Sequence, residues 1–398
     1  MKKLFCVFIS LVMIACPFSV CATETAEIYP FDTAMNEFWF KTASAEYVSE
    51  GDAKALLLME SSTGRILFAE NEREHLPIAS VTKVISTLLV MEAIDSGRIT
   101  VNDVVTVSDH AASMGGSQVY LEAGETMSVH DLLKALVVVS ANDATVALGE
   151  YICGSETAFV AAMNERAKEL GCENSNFVNT NGLPVEGQYS CALDVALVTR
   201  ELMKHEKIFE YTGIWMDTIR NGTFGLANTN KLVRFYKGAT GMKTGFTGEA
   251  KYCLSGTAKR DGMHLIAVVL GASTSDKRFA AAKGMLDFGF ANYAVVTPKI
   301  PELKPIDIKR GVKSSVSAET SPTSVLLEKG EKADIESKVI VKENLKAPVK
   351  AGEELGCVEY YRNGKAIAKE KIIAKEDVKE VSYGSILSQV FKKMFFRK

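Results

Sequence analysis

From residue 55 the chain alternates between short apolar runs and longer stretches with helical spacing. Ala55-Leu56-Leu57-Leu58-Met59 has no polar break, so it reads as a strand buried on both faces. Ser62-Thr63-Gly64 is a turn, and Arg65-Ile66-Leu67-Phe68 reads as the returning strand. Ser80 to Ile94 is spaced as a helix, closed by Gly97. His130 to Leu136, Ala144 to Tyr151, Glu156 to Leu170 and Ser190 to Met203 form a block of further helices. Strand patterns return over Ala250 to Lys259 and Met263 to Leu270, and Lys277 to Phe288 closes the region as a helix. A strand pair, helices, more strands and a final helix predict an α/β fold, with an antiparallel sheet and a helical lobe, over residues 51–297.

The pattern changes after Pro298. Lys, Glu, Val and Ile dominate, Ser317 to Pro322 is a low-complexity turn, and Gly352 and Asn363-Gly364 mark hairpins. Residues 298–380 therefore read as a small all-β domain. The end differs again: within 383–398, Ile386, Leu387, Val390, Phe391, Met394 and Phe395 share one helical face, beside Lys392, Lys393, Arg397 and Lys398. That combination suits an amphipathic helix lying on an anionic membrane surface.

The other terminus bears on the compartment. Lys2 and Lys3 precede an apolar run from Leu4 to Ala15, and Val20-Cys21-Ala22 supplies small residues for cleavage. Residues 1–22 read as a secretory signal peptide, too short in their apolar core for a membrane span. Met13-Ile14-Ala15-Cys16 loosely matches a lipoprotein box, which leaves lipidation as an alternative. Residues 23–50 form an extension to which the sequence assigns no role. The expected location is extracytoplasmic, on the outer face of the cytoplasmic membrane.

Composition narrows the function. The chain has 398 residues, 47% hydrophobic, enough for a sizeable core. A net charge of −3 gives no basic footprint for nucleic acid. Beyond the signal, Cys153, Cys172, Cys191, Cys253 and Cys357 are odd in number and widely spaced, and no C-x-x-C occurs. They read as isolated buried thiols rather than a zinc site or a disulfide framework, with one bridge among Cys153, Cys172 and Cys191 left open. No G-x-S-x-G elbow and no H-E-x-x-H are present.

Three short motifs carry the candidate chemistry. Lys83 lies three residues after Ser80 at the opening of an apolar helix, where both side chains share a face. A serine at a helix N-terminus can attack a carbonyl while its own N–H holds the oxyanion. Lysine serves as its base only if burial or a second cation lowers its pKa. Ser140-Ala141-Asn142 follows one apolar helix and precedes another, offering a hydroxyl for proton relay and an amide for a substrate carbonyl. Lys243-Thr244-Gly245 lies before a strand and offers the second cation, a hydroxyl for a carboxylate, and a glycine that lets a substrate backbone approach. Each motif occurs once, in that order.

On these residues, and on Asn181-Gly182-Leu183, Asn228-Thr229-Asn230 and Gly241 to Thr247, the chain resembles the serine-type D-alanyl-D-alanine carboxypeptidases, the low-molecular-mass penicillin-binding proteins. The resemblance runs from about Ala45 to Lys398 and implies a β-lactamase/transpeptidase-like fold. It also implies Ser80 as acyl-ester nucleophile, Lys83 as general base, Ser140 as second hydroxyl, and Asn142 on the substrate amide. Lys243, Thr244 and Gly245 would bind substrate. The N–H groups of Ser80 and Phe246 would form the oxyanion hole, and Arg278 would lie near the carboxylate. Ala141 replaces a glycine frequent in the family, and Phe246 a histidine found in some members. The implied substrate is a peptidoglycan stem peptide ending in D-Ala-D-Ala, with β-lactams as inhibitors and no metal or cofactor. A class A β-lactamase shares the motifs but needs an E-x-x-x-N glutamate, absent between Ser140 and Lys243. A penicillin sensor or scaffold without turnover is the other alternative.

Overall fold

The computed structural model describes residues 52–331, 334–382 and 384. The expected signal peptide, the extension and, apart from Gly384, the amphipathic tail fall outside the described residues. A central five-stranded antiparallel sheet contains β1 (Ala55–Glu60), β2 (Ile66–Glu70), β3 (Ala239–Thr247), β4 (Lys251–Arg260) and β5 (Met263–Ala272). Its order is β2-β1-β5-β4-β3, so the first strands of the chain join the last three through β1 and β5.

Both faces of this sheet are buried, which explains the unbroken apolar runs. On β1, Ala55, Leu57 and Met59 enter one core, and Leu56 and Leu58 the other. On β5, Ile266, Val268 and Leu270 face the first core, while Leu265, Ala267 and Val269 face the second. The first core is shared with α1 (Lys83–Asp95), α2 (Val129–Val138), α3 (Asn142–Cys153), α4 (Glu156–Glu169) and α5 (Ala192–Leu202). The second is roofed by α6 (Ser275–Asn292), through Phe279, Ala282, Met285 and Leu286.

Two local departures from the sequence reading bear on the site. The helix expected from Ser80 begins as a 3-10 turn over Ala79–Thr82, and the α-helix opens only at Lys83. Ala79 enters that turn with φ +48°, a left-handed conformation that a residue with a Cβ adopts only under constraint. The motif Lys243-Thr244-Gly245 precedes the expected strand, now β4, but it also lies inside a strand of its own, β3, at the edge of the sheet. The run Ala239–Thr247 is rich in glycine and threonine and is buried from Gly241 to Gly245, so it shows no alternation to read.

After α6 come β6 (Tyr293–Val296), β7 (Ala318–Thr320), β8 (Val325–Glu328), β9 (Glu336–Val341), β10 (Glu354–Arg362) and β11 (Lys365–Ala374). Strands β7, β11, β10 and β9 form a four-stranded sheet in that order, over a separate core that includes Leu355, Val358, Tyr360 and Ile372. Asn363 and Gly364, both with positive φ, make the tight turn between β10 and β11. The hydrogen bonding crosses the compositional boundary at 298, because β8 pairs with β6 in register from Tyr293↔Glu328 to Val296↔Val325.

Candidate active site

The site forms where the turn before α1, the start of α3 and the edge strand β3 meet. Ser80 is half-buried at the head of α1. Lys83 is fully buried one turn on, and its Nζ lies 3.1 Å from Ser80 Oγ. Two carbonyl oxygens also surround that nitrogen: Asn142 Oδ1 at 2.6 Å and the main-chain oxygen of Asn181 at 2.8 Å. Both are acceptors only, so each takes an N–H from the amine. A neutral amine has two N–H groups and one lone pair. With both N–H groups committed, the lone pair is left for the third neighbour, the Ser80 hydroxyl.

The electrostatics favour that neutral form. Burial, followed by the charge of Lys243, holds the Lys83 pKa well below its ordinary value, and the Asp143 carboxylate only partly opposes this. Lys243 is itself lowered to about 7, by burial first and then by the Arg278 guanidinium. The second cation expected from the sequence is therefore in place behind the lysine.

Ser140 is buried in the loop between α2 and α3 with φ +67°, and its Oγ has no hydrogen-bond partner among the described residues. Asn142, two residues on, opens α3. Its Nδ2 donates to Gly115 O at 2.6 Å, and its main-chain N–H to Ser117 O at 2.7 Å. The neighbouring Asp143 is fully buried and its carboxylate accepts from the N–H groups of Val119, Leu121 and Ala144. The start of α3 thus pins the 115–121 segment while presenting Asn142 to Lys83.

Strand β3 makes the facing wall. A Cβ on Gly245 would stand 2.7 Å from Ile78 O and 3.0 Å from the main-chain nitrogens of Ser80 and Val81. Only glycine lets the strand lie this close to the nucleophile's amide, and the next residue is Phe246, whose N–H is the other expected oxyanion donor. Phe246 is exposed and its ring packs on Tyr252 at 4.4 Å between centroids. Thr244 Oγ1 donates to Thr229 Oγ1 at 2.7 Å. Asn230 Nδ2 holds Gly241 O at 2.8 Å, bracing the strand from behind. Met242, with φ +75°, is left-handed like Ala79 and, like it, directly precedes a motif residue.

Arg278, on α6, is buried under this strand. Its Nη1 donates to Gly245 O at 3.2 Å and Cys253 O at 3.1 Å, its Nη2 to Ser275 Oγ, and its Nε has no partner among the described residues. The guanidinium supports β3 from within and acts on Lys243 by its charge.

The comparisons with known proteins give the family. The family described as D-alanyl-D-alanine carboxypeptidase matches residues 41–274. The chain belongs to that family. The description "Penicillin-binding protein 5, C-terminal domain" matches residues 299–380 of this carboxypeptidase. It is 44% identical over 345 residues to the D-alanyl-D-alanine carboxypeptidase DacF of Bacillus subtilis (strain 168), covering 85% of this chain and 89% of that protein. Among solved structures it is similar to penicillin-binding protein 5 from Haemophilus influenzae, with a TM-score of 0.72, 30% identity, and coverage of 84% of this chain and 100% of that one. Penicillin-Binding Protein D2 from Listeria monocytogenes, solved in an ampicillin-bound form, gives a TM-score of 0.56 at 33% identity, covering 61% of this carboxypeptidase and 98% of that chain.

Ser80, Lys83 and Asn142 meet at the Lys83 amine, and several of the partners found there carry no expectation from the sequence. Asn142 was expected on the substrate amide; its Oδ1 is also a partner of the base. The Asn181 carbonyl, the Asp143 clamp and Thr229 were not assigned chemistry. The only signal for them was their position in or beside the family stretches. The five described cysteines are free, so the single bridge left open is not formed.

Proposed function

We propose that this serine D-Ala-D-Ala carboxypeptidase works through an acyl-enzyme on Ser80, with Lys83 as its base. The observation that carries this reading is the arrangement around Lys83 Nζ, whose two N–H groups are held by Asn142 Oδ1 and Asn181 O and whose third direction meets Ser80 Oγ. Ser80 Oγ passes its proton to the neutral amine and attacks the carbonyl between the terminal D-alanines. The oxyanion rests on the N–H groups of Ser80 and Phe246, each donor of this kind being worth roughly 3–4 kcal/mol. Lys83 returns that proton by way of the Ser140 hydroxyl to the leaving D-alanine amine as the C–N bond breaks, which leaves the lysine neutral again. Water, deprotonated by the same lysine, then releases the shortened stem peptide. Lys243 and Thr244 hold the terminal carboxylate, with Gly245 admitting the substrate backbone. A β-lactam presents a strained amide to the same serine, and the ampicillin-bound Listeria relative supports that extension.

We further infer export through residues 1–22 and attachment to the outer face of the cytoplasmic membrane through residues 383–398. The apolar face and four terminal cations of that tail support this. Among the described residues, no helix is long and apolar enough to cross a membrane.

The test is D-alanine release from a peptide ending in D-Ala-D-Ala by the whole protein, with Ser80→Ala alongside. Release by the wild type alone supports the assignment. Stoichiometric labelling by a fluorescent penicillin without release would point to a sensor instead.

A further inference from the structure

The main-chain oxygen of Asn181 is one of two acceptors that orient Lys83, but Asn181 sits in a turn with no regular secondary structure of its own. Something must fix that oxygen to within a few tenths of an ångström. Inside the turn, Asn179 Oδ1 accepts from Gly182 N at 2.8 Å, and Asn179 Nδ2 donates to Leu183 O at 2.9 Å. These bonds shape the turn but do not attach it to the rest of the protein.

The attachment lies one residue before Asn181. Thr180 is fully buried. Its main-chain N–H and its hydroxyl both donate to the same oxygen, Glu156 Oε1, at 3.1 and 2.8 Å. Its carbonyl accepts from Ser86 Oγ at 2.6 Å. Ser86 lies on α1, the helix that carries Lys83, and Glu156 is the first residue of α4. Two donors from one residue onto one carboxylate oxygen leave Thr180 little freedom to rotate, and its own carbonyl, held by Ser86, lies one peptide before the one that bears the Asn181 oxygen. The far oxygen of the same carboxylate, Glu156 Oε2, is fixed in turn by His110 Nε2 at 2.7 Å. Hydrogen bonds therefore run from His110 at the surface through Glu156 to Thr180, and the main chain carries the connection on to Asn181, whose carbonyl accepts from the base.

We propose that Glu156 is a positioning residue for Lys83: by clamping Thr180 it holds the Asn181 carbonyl against the amine and so keeps the lysine lone pair on Ser80. Glu156 touches neither substrate nor reacting atoms. Its effect is on the chemical step rather than on substrate affinity, because the carboxylate-binding residues Lys243 and Thr244 lie on a different wall. The proposal rests on the acyl-enzyme reading, and penicillin labelling of Ser80 in the wild type checks that reading independently of any variant.

The experiment compares wild type, Glu156→Ala, Glu156→Gln and Thr180→Val in the full chain. It measures the rate constant for acylation by a fluorescent penicillin, together with kcat and KM on a D-Ala-D-Ala peptide and the unfolding midpoint. Misplacing a reacting group by about 1 Å costs on the order of 100-fold. Glu156→Ala is therefore expected to lower acylation and kcat by roughly 10- to 100-fold, with KM within about twofold. Glutamine keeps an oxygen that can accept both Thr180 donors, so Glu156→Gln is expected to recover to within about fivefold of wild type. Thr180→Val, which loses the hydroxyl but keeps the N–H, is expected to fall between the two. The proposal is overturned if Glu156→Ala acylates at the wild-type rate, if the loss appears in KM with kcat unchanged, or if Glu156→Gln is no better than Glu156→Ala. Should Glu156→Ala fail to fold, Thr180→Val and Glu156→Gln decide: wild-type acylation by the valine variant, or a glutamine variant slower than it, overturns the proposal.

Discussion

Lys83 Nζ stands 3.1 Å from Ser80 Oγ, in the one direction around that nitrogen not taken by a carbonyl oxygen. A base in this setting must be able to lose its proton, and arginine cannot. Lys83→Arg keeps much of the length but puts a permanent charge in place of the neutral amine and removes the lone pair. The expected result is a loss of about 10²- to 10⁴-fold in Ser80 acylation. A gel-based time course with fluorescent penicillin measures it, and acylation at near wild-type speed would remove Lys83 from the role of base.

Lys243 gives a pH signature. Its folded pKa of about 7 lies below the ordinary 10.5. Between those values the unfolded chain binds more protons than the native one, so the contribution of this residue to stability rises with pH across that window. Below about pH 7 both states carry the proton and the penalty for burying the charge is at its full size. Lys243→Met removes the titration, so its stability should increase less than that of the wild type from pH 7 to 10. Urea unfolding at several pH values tests this; parallel curves for the two proteins would contradict it.

Gly182 and Gly187 offer a matched comparison. Both have left-handed backbones, with φ of +86° and +83°. A Cβ on Gly182 would lie 1.9 Å from Ala79 O, whereas on Gly187 the nearest atom would be 3.8 Å away. Gly187→Ala should therefore cost only the conformational term, about 1–2 kcal/mol, with activity kept. Gly182→Ala should cost more than about 3 kcal/mol, because backbone must also move, and it should displace the turn that carries the nucleophile. Unfolding midpoints and D-alanine release together separate the two effects.

Asp143 is expected to matter although it touches no substrate. Its carboxylate takes three main-chain N–H groups with two oxygens, and the amide of asparagine offers one oxygen. Asp143→Asn should destabilise the protein by about 1–3 kcal/mol and loosen the 115–121 segment that Asn142 also holds. Hydrogen exchange at Val119 and Leu121 reads that loosening directly. Protection unchanged from wild type would count against the clamp.

What could be read from the chain followed from burial. Strands β1 and β5 were legible because both faces of the sheet are covered, which leaves long apolar runs, and β4 through the alternation over Ala250 to Lys259. Strand β3 was not, because its close approach to Ser80 demands glycine and its chemistry demands Lys243 and Thr244; function had replaced the pattern. Ser80, Lys83, Ser140, Asn142 and Lys243 could be named since their chemistry lies in side chains at fixed spacing. The carbonyl of Asn181 could not: every residue has one, and only the fold decides which of them points at an amine. The 3-10 turn at Ser80 was hidden for a related reason, since it coincides with the left-handed Ala79, against whose carbonyl Gly182 packs, 103 positions later in the sequence.

The pairing of β8 with β6 sets where this protein can be cut. The compositional break at 298 invites a truncation that keeps the enzyme and discards the rest. Such a piece would keep Tyr293–Val296 but lose Val325–Glu328, stripping a row of main-chain donors and acceptors of their partners. That bare edge would sit at the end of α6, the same helix whose Arg278 underpins β3. The two regions are sewn together by a strand, and a fragment meant to isolate the chemistry would have to carry the chain through Glu328 or accept a sticky seam beside its own active site.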